Sequence, residues 1–195
     1  DFASIDKAVD KLMTDIMVRL REIRPDIMIE FRQPYIGPLM RKYGNMFRAA
    51  DCPNMAVVNR SRTTDIKLLS GNTAVHSDMY VWHPEDTVES AALQILSVLF
   101  TVPQLSVKMD KVPDDHKEMI KFWTTYWNKN RDILLEGDFR PEGFTENYNL
   151  ISSSDKNKLI TAVYGERPVK IPAKFAEIDV VNAKLSKEIF LDIEK

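Results

Sequence analysis

Apolar residues recur every three or four positions through the first two dozen residues. Ile5, Ala8, Val9, Leu12, Ile16, Leu20 and Ile23 fall on one stripe of a helix that Ser4 can cap and Pro25 ends, which predicts a helix buried along one face. Then the period changes. Asp26 to Phe31 is a short apolar run with β-branched residues, the pattern of a buried strand. Pro34, Gly37 and Pro38 supply turn chemistry, and Leu39 to Tyr43 reads as a short helical piece. The unit repeats: a strand over Phe47 to Ala50 with a helix over Met55 to Leu69, then a strand region over Ala74 to Trp82 with a helix over Glu85 to Phe100, where Asp86 can open the first turn. Gln104 to Met109 predicts a fourth strand. Pro113 suits the first turn of a long helix carrying Met119, Phe122, Trp123, Tyr126 and Trp127 on one side, and Gly137 suits its stop.

Strands alternating with helices at this spacing imply a parallel sheet with right-handed crossovers. Four such units make half of an eight-unit barrel or part of a doubly wound sheet. No Gly-x-Gly-x-x-Gly follows a strand and no P-loop is present, which favours the barrel. After Gly137 the texture changes to short β-like runs between Pro, Gly, Asn and Ser clusters. The expected fold is therefore α/β: residues 1–137 as the carboxyl-terminal half of a (β/α)8 TIM barrel and residues 138–195 as a small, incomplete antiparallel β-sandwich domain. The chain starts straight into a helix and stops inside a strand-like alternation, so it reads as a piece of a longer one.

Composition narrows the function classes. With 27 Lys plus Arg against 29 Asp plus Glu in 195 residues, there is no basic footprint for nucleic acid or an anionic membrane. The longest apolar run, around Ala91 to Val102, is interrupted by Gln94 and Ser97 and is too short to span a bilayer. A single cysteine makes no internal disulfide, and no Cys/His spacing suits zinc, so no metal is expected and a reducing, cytoplasmic compartment is favoured.

In α/β architectures of this kind the chemistry lies at the carboxyl ends of the strands. Four segments should converge there: Glu30 to Gln33, Arg48 to Cys52, Ala74 to Met79 and Lys108 to Asp110. Each is polar for a strand end, and together they bring carboxylates, arginines and a histidine, the groups that hydrogen-bond a polyhydroxylated substrate. Asp51 would sit at this edge with Arg48 nearby, either as a general acid or as half of a structural ion pair. Trp82 and the Trp123, Tyr126 and Trp127 group could stack on sugars, but helical spacing assigns the latter three to the core. His83 and His116 read as exposed positions, and Arg60, Arg62 and Lys67 as a solvated helix face.

The segments FRQPYIGPLMRKYGNMFRAADCPN, NRSRTTDIKLL, NTAVHSDMYVWHPED and LFTVPQLSVKMD resemble the carboxyl-terminal half of α-galactosidases of glycoside hydrolase family 36, over roughly residues 4 to 170. The resemblance implies a catalytic (β/α)8 barrel followed by a small β-sandwich. It also implies hydrolysis of terminal α-linked galactose with retention, by an Asp nucleophile on the fourth strand and an Asp acid/base on the sixth. Asp51 takes the acid/base position. Arg48, Arg32, Gln33, His76, Asp78 and Cys52 are implied to bind the sugar, and no cofactor is implied. Members often carry an acid where Met55 stands and a more apolar residue at Thr64. The nucleophile is expected upstream of the first residue; Asp1 and Phe2 match its Asp-aromatic pattern only superficially. The implied partner is a galactose-containing oligosaccharide, with self-association expected because half a barrel leaves open sheet edges. Two rivals stand beside hydrolysis: a transglycosidase that passes galactose to another sugar, and a non-catalytic carbohydrate-binding or assembly module.

Overall fold

The computed structural model describes residues 2–32, 37–49, 51, 54–71 and 73–193. Helix α1 (Ile5–Ile23) starts where Ser4 Oγ accepts the Lys7 amide and stops short of Pro25. Its apolar stripe forms but is not buried: Ile5 is 82% exposed, Leu12 58% and Ile23 83%, and Met17 alone is buried. Among the described residues no neighbouring helix covers that face. The helix is instead tied down on its polar side, where Asp10 accepts from Lys42 Nζ at 2.6 Å and from the Tyr43 hydroxyl.

Three short strands follow: β1 (Glu30–Arg32), β2 (Met46–Arg48) and β3 (Ala74–His76), hydrogen-bonded in sequence order and all parallel. They are three residues each, shorter than the apolar runs predicted. Between β1 and β2 the described residues of the crossover form a 3-10 turn, Pro38–Lys42, and between β2 and β3 lies helix α2 (Ala56–Ser70). Gly44 is needed where the chain enters β2, because a Cβ there would stand 2.5 Å from the Phe31 ring. One sheet face carries the row Phe31, Phe47 and Val75, which packs on Ile66 of α2 and on Met40.

The fourth predicted strand is reduced to one parallel bridge, Tyr80 to Leu105. Helix α3 (Val88–Ser97) is capped by Thr87, whose hydroxyl accepts the Ser90 amide; Asp86 instead closes the preceding turn by accepting the His83 amide. Helix α4 (Asp114–Glu136) follows Pro113 and ends at Gly137. His116 is buried, not exposed: its Nδ1 accepts Trp82 Nε1 at 3.0 Å and its Nε2 donates to the Asp86 carbonyl at 3.0 Å, so neither Trp82 nor His116 is open to a ligand. Trp123, Tyr126 and Trp127 pack against the core, as their spacing predicts.

Beyond Gly137 lie β4 (Asp138–Glu142), β5 (Leu150–Ser154), β6 (Lys158–Val163), β7 (Val169–Ile171), β8 (Glu177–Asn182) and β9 (Leu191–Ile193). They form a sheet in the order β4-β5-β6-β8 and a pair β7-β9. The expectation of an antiparallel domain is corrected here. β4, β5 and β6 are antiparallel, but β6 pairs β8 parallel and β7 pairs β9 parallel. The cause is connectivity: from β6 onward the chain alternates between the two sheets, so each strand returns beside its neighbour in the same direction.

The largest core joins both regions. Leu96, Leu99 and Phe100 from the α3 end and Leu134 of α4 pack against Ile151, Ile160 and Val181 of the β4-containing sheet. The described residues form a mixed α/β molecule in which no sheet closes into a barrel.

Candidate active site

Parallel strands in register place equivalent residues side by side, about 4.8 Å apart. Here the last residues of β1, β2 and β3 are Arg32, Arg48 and His76, paired across the sheet in one row. The row stands on the face opposite Phe31, Phe47 and Val75, and Glu30, two residues before Arg32, shares it. A parallel sheet usually buries apolar residues on both faces. Here the face away from α2 is mixed: Met46 and Ala74 stand beside Glu30, and the carboxyl-end row is charged or polar.

The charged face is closed into a ring of contacts. Glu30 accepts from His76 Nε2 at 2.9 Å and lies 3.6 Å from Arg48 Nε. Arg48 in turn pairs with Asp78, NH1 to Oδ1 at 3.0 Å. The Asp78 amide donates to His76 Nδ1 at 3.2 Å, which places the ring proton of a neutral His76 on Nε2, facing Glu30. Arg48 Nε is out of contact with solvent and has no hydrogen-bond partner among the described residues, since Glu30 stands beyond hydrogen-bond range. Asp78 itself has φ of 73°, a left-handed conformation that costs a non-glycine residue about 1 kcal/mol. Its ion pair and its amide bond hold it there, with the carboxylate 9% exposed.

Asp51 lies three residues past Arg48 at the same carboxyl edge. Its partner differs from the one expected: Arg32 NH2 donates to Asp51 Oδ2 at 2.9 Å, while Arg48 is engaged by Asp78 and Glu30. The Asp51 side chain is 62% exposed and Arg32 47%. A pair this open contributes about 0–1 kcal/mol to stability.

Of the residues singled out from the sequence, Arg32, Arg48, Asp51, His76 and Asp78 come together at one strand edge. Gln33 and Cys52 lie outside the described residues. No ion pair or hydrogen bond links Lys108 or Asp110 to this edge among the described residues; residues 108–112 form a turn, with the Lys111 and Val112 amides on the Lys108 carbonyl. Glu30 is the residue that sequence reasoning undervalued. The signal was its two-residue offset from Arg32, which on a strand means the same face.

A second polar cluster corrects the reading of Arg60 and Lys67 as solvated, while Arg62 is exposed as expected. Arg60 and Lys67 are 7% and 8% exposed and dock α2 onto the rest of the molecule. Arg60 Nε donates to the Asn147 carbonyl at 2.9 Å, with its guanidinium 4.4 Å from the centre of the Tyr164 ring. Lys67 Nζ donates to the carbonyls of Phe100 at 2.7 Å and Leu134 at 2.6 Å. Burial brings the Lys67 amine down to about 7.

Among the described residues no helix is long and apolar enough to cross a membrane, and no group of three or more His, Cys, Asp or Glu is arranged to hold a metal ion. No family model, curated protein or solved structure matches the chain.

Proposed function

We propose that this chain supplies the carboxyl-terminal half of a retaining α-galactosidase, contributing barrel strands five to eight and the acid/base Asp51. The observation that supports it most is the in-register row Arg32, Arg48 and His76 at the carboxyl edge of three sequential parallel strands, with Asp51 and Asp78 beside it. Ligands of α/β sheets bind at that edge. A dense set of fixed donors and acceptors suits a sugar, whose hydroxyls each both give and accept a hydrogen bond.

The proposed chemistry runs in two steps. The Asp51 carboxyl gives its proton to the glycosidic oxygen as the C1–O bond breaks, and a carboxylate from an upstream strand bonds to C1. Asp51, now ionised, takes a proton from water; the water oxygen bonds to C1 and the ester to the upstream carboxylate breaks, releasing galactose with its configuration retained. Retention requires the two carboxylates about 5 Å apart. Arg32 orients Asp51 through Oδ2, and Arg48, held by Asp78, presents its remaining guanidinium N–H groups to the hydroxyls, while His76, with both ring nitrogens engaged, holds Glu30 in place as an acceptor.

The test is hydrolysis of an aryl α-galactoside by the polypeptide carrying the upstream strands, beside its Asp51→Asn variant. Loss of the acid/base should slow turnover about 10²–10⁴-fold. Because the Asp51–Arg32 pair is open to solvent, its removal should change stability by no more than about 1 kcal/mol. A variant that keeps full turnover would remove Asp51 from the chemistry, and an unmodified polypeptide inactive on every α-galactoside would leave the non-catalytic reading standing.

A further inference from the structure

The sheet that contains β4, β5 and β6 has two faces of opposite character. Phe139, Ile151, Ile160 and Ala162 belong to the core shared with α3 and α4. The opposite face carries Arg140, Ser152 and Thr161 in one cross-strand row, with Asp138 and Glu142 flanking Arg140 along β4. Farther along that face Leu150 and Val163 pack on Val169 of β7, so the segment from Arg167 to Phe175 is anchored above the sheet. Between that segment and the sheet is a cavity of about 270 Å³, open to solvent on one side. Small-molecule sites begin at roughly 300 Å³, so the space suits a small metabolite.

The lining is cationic. Arg140, Arg167, Lys170 and Lys174 stand against Asp138 and Glu142, four positive charges to two negative, in a chain whose net charge is -2. The excess is therefore local. Arg140 donates twice to Asp138, at 2.9 and 2.7 Å, and Arg167 donates to Glu142 at 2.5 Å. Both carboxylates are thereby taken, while each guanidinium keeps further N–H groups. Among the described residues Lys170 and Lys174 make no salt bridge, the carboxylates of this cavity being held by the arginines. Lys174 Nζ rests 4.8 Å from the centre of the Phe175 ring, a contact that holds the ammonium at the wall and leaves its N–H groups unspent. On the floor, Ser152 and Thr161 share one hydroxyl hydrogen bond at 2.9 Å, so one of the two O–H groups stays free to donate. Donors thus dominate, which favours a guest that only accepts.

We infer that this cavity binds a small organic phosphate monoester. Its two unbalanced positive charges match a phosphate dianion, the main form of a monoester above a second pKa of about 6. A carboxylate carries one charge and leaves the other unmatched. The phosphate oxygens accept from many directions at once, which suits donors on both the roof and the sheet, and the carbon part meets Leu150, Leu159 and Val169. None of these residues belongs to the strand edge around Asp51, so the inference stands or falls independently of the proposed hydrolysis.

The experiment is amide chemical-shift mapping on the 195-residue chain at physiological ionic strength, titrated separately with phenyl phosphate, inorganic phosphate and phenol. The expected result is saturable shifts in β4, β5, β6 and residues 167–175 with phenyl phosphate, weaker binding of inorganic phosphate, none of phenol, and no change in Asp51→Asn. Lys170→Gln combined with Lys174→Gln should weaken binding at least about tenfold, since each ammonium supplies a charge-assisted bond. Lys121→Gln combined with Lys129→Gln removes the same charge from the exposed face of α4 and should leave the affinity unchanged. Equal losses from both pairs would mean that net charge alone attracts the phosphate and would overturn the inference. Inorganic phosphate binding as tightly as the monoester would overturn the organic guest. Shifts confined to the edge of β1, β2 and β3, or no shifts at all, would overturn the site.

Discussion

Lys67 shows how a single buried group sets pH dependence. A neutral amine keeps two N–H donors, and two carbonyls, of Phe100 and Leu134, receive them. The Phe139 ring 4.6 Å away favours the charged form, but loss of hydration dominates and brings the amine to about 7. Unfolded, the same amine holds its proton up to roughly pH 10.4. The unfolded chain therefore binds the extra proton, and unfolding free energy should climb from about pH 7 toward roughly pH 10, by up to about 1.4 kcal/mol per unit. Above that, Tyr80 and Tyr148, pushed up to about 12, keep protons that the unfolded chain releases, so stability should fall again. Denaturant titrations across this range check the rise, and Lys67→Met should flatten it. None of this was readable in the sequence. Asn59, Thr63, Lys67 and Ser70 lie at helical spacing and are all polar, so the buried face of α2 resembles a solvated one until its partners are known.

At the scale of elements, local chemistry was legible and pairing was not. The Ser4 cap of α1, the Pro113 start and Gly137 stop of α4, and the short turn after β1 follow from residues next to one another in the chain. So did the convergence of Arg32, Arg48, Asp51, His76 and Asp78, because parallel strand ends are fixed by the alternation itself. Their partners were not: Asp51 meets Arg32, nineteen residues away, instead of nearby Arg48. The parallel pairing of β6 with β8 escaped for the same reason, since β7 intervenes in sequence but belongs to the other sheet. The stripe of α1 was read correctly as a stripe and wrongly as buried. Ile5, Leu12 and Ile23 stay open to solvent along it. The isolated chain should therefore self-associate, and Leu12→Glu combined with Ile5→Glu should lower its mass in light scattering while changing stability by no more than about 0.5 kcal/mol per site. An unchanged mass would mean that this stripe does not drive association.

For the whole molecule, the shared core decides how the two regions behave. Leu134 is fully buried between α4, the end of α3 and the β sheet. Leu134→Ala should cost about 2–5 kcal/mol, and the chain should still unfold in one transition whether followed by tryptophan fluorescence or by far-ultraviolet circular dichroism. Two separated transitions would show that the regions hold themselves independently.

The most direct measurement of Asp51's role is the product formed when azide replaces it. The Asp51→Ala variant of the polypeptide carrying the upstream strands is given an aryl α-galactoside with azide, and the galactosyl azide is identified by NMR. An acid/base on the α face leaves a vacancy there, so azide should attack the covalent β-galactosyl ester and yield the α-azide, with activity partly restored. A β-azide would mean that azide had replaced the nucleophile itself, and no restored turnover would mean that Asp51 has no part in the chemistry; either result contradicts the acid/base assignment.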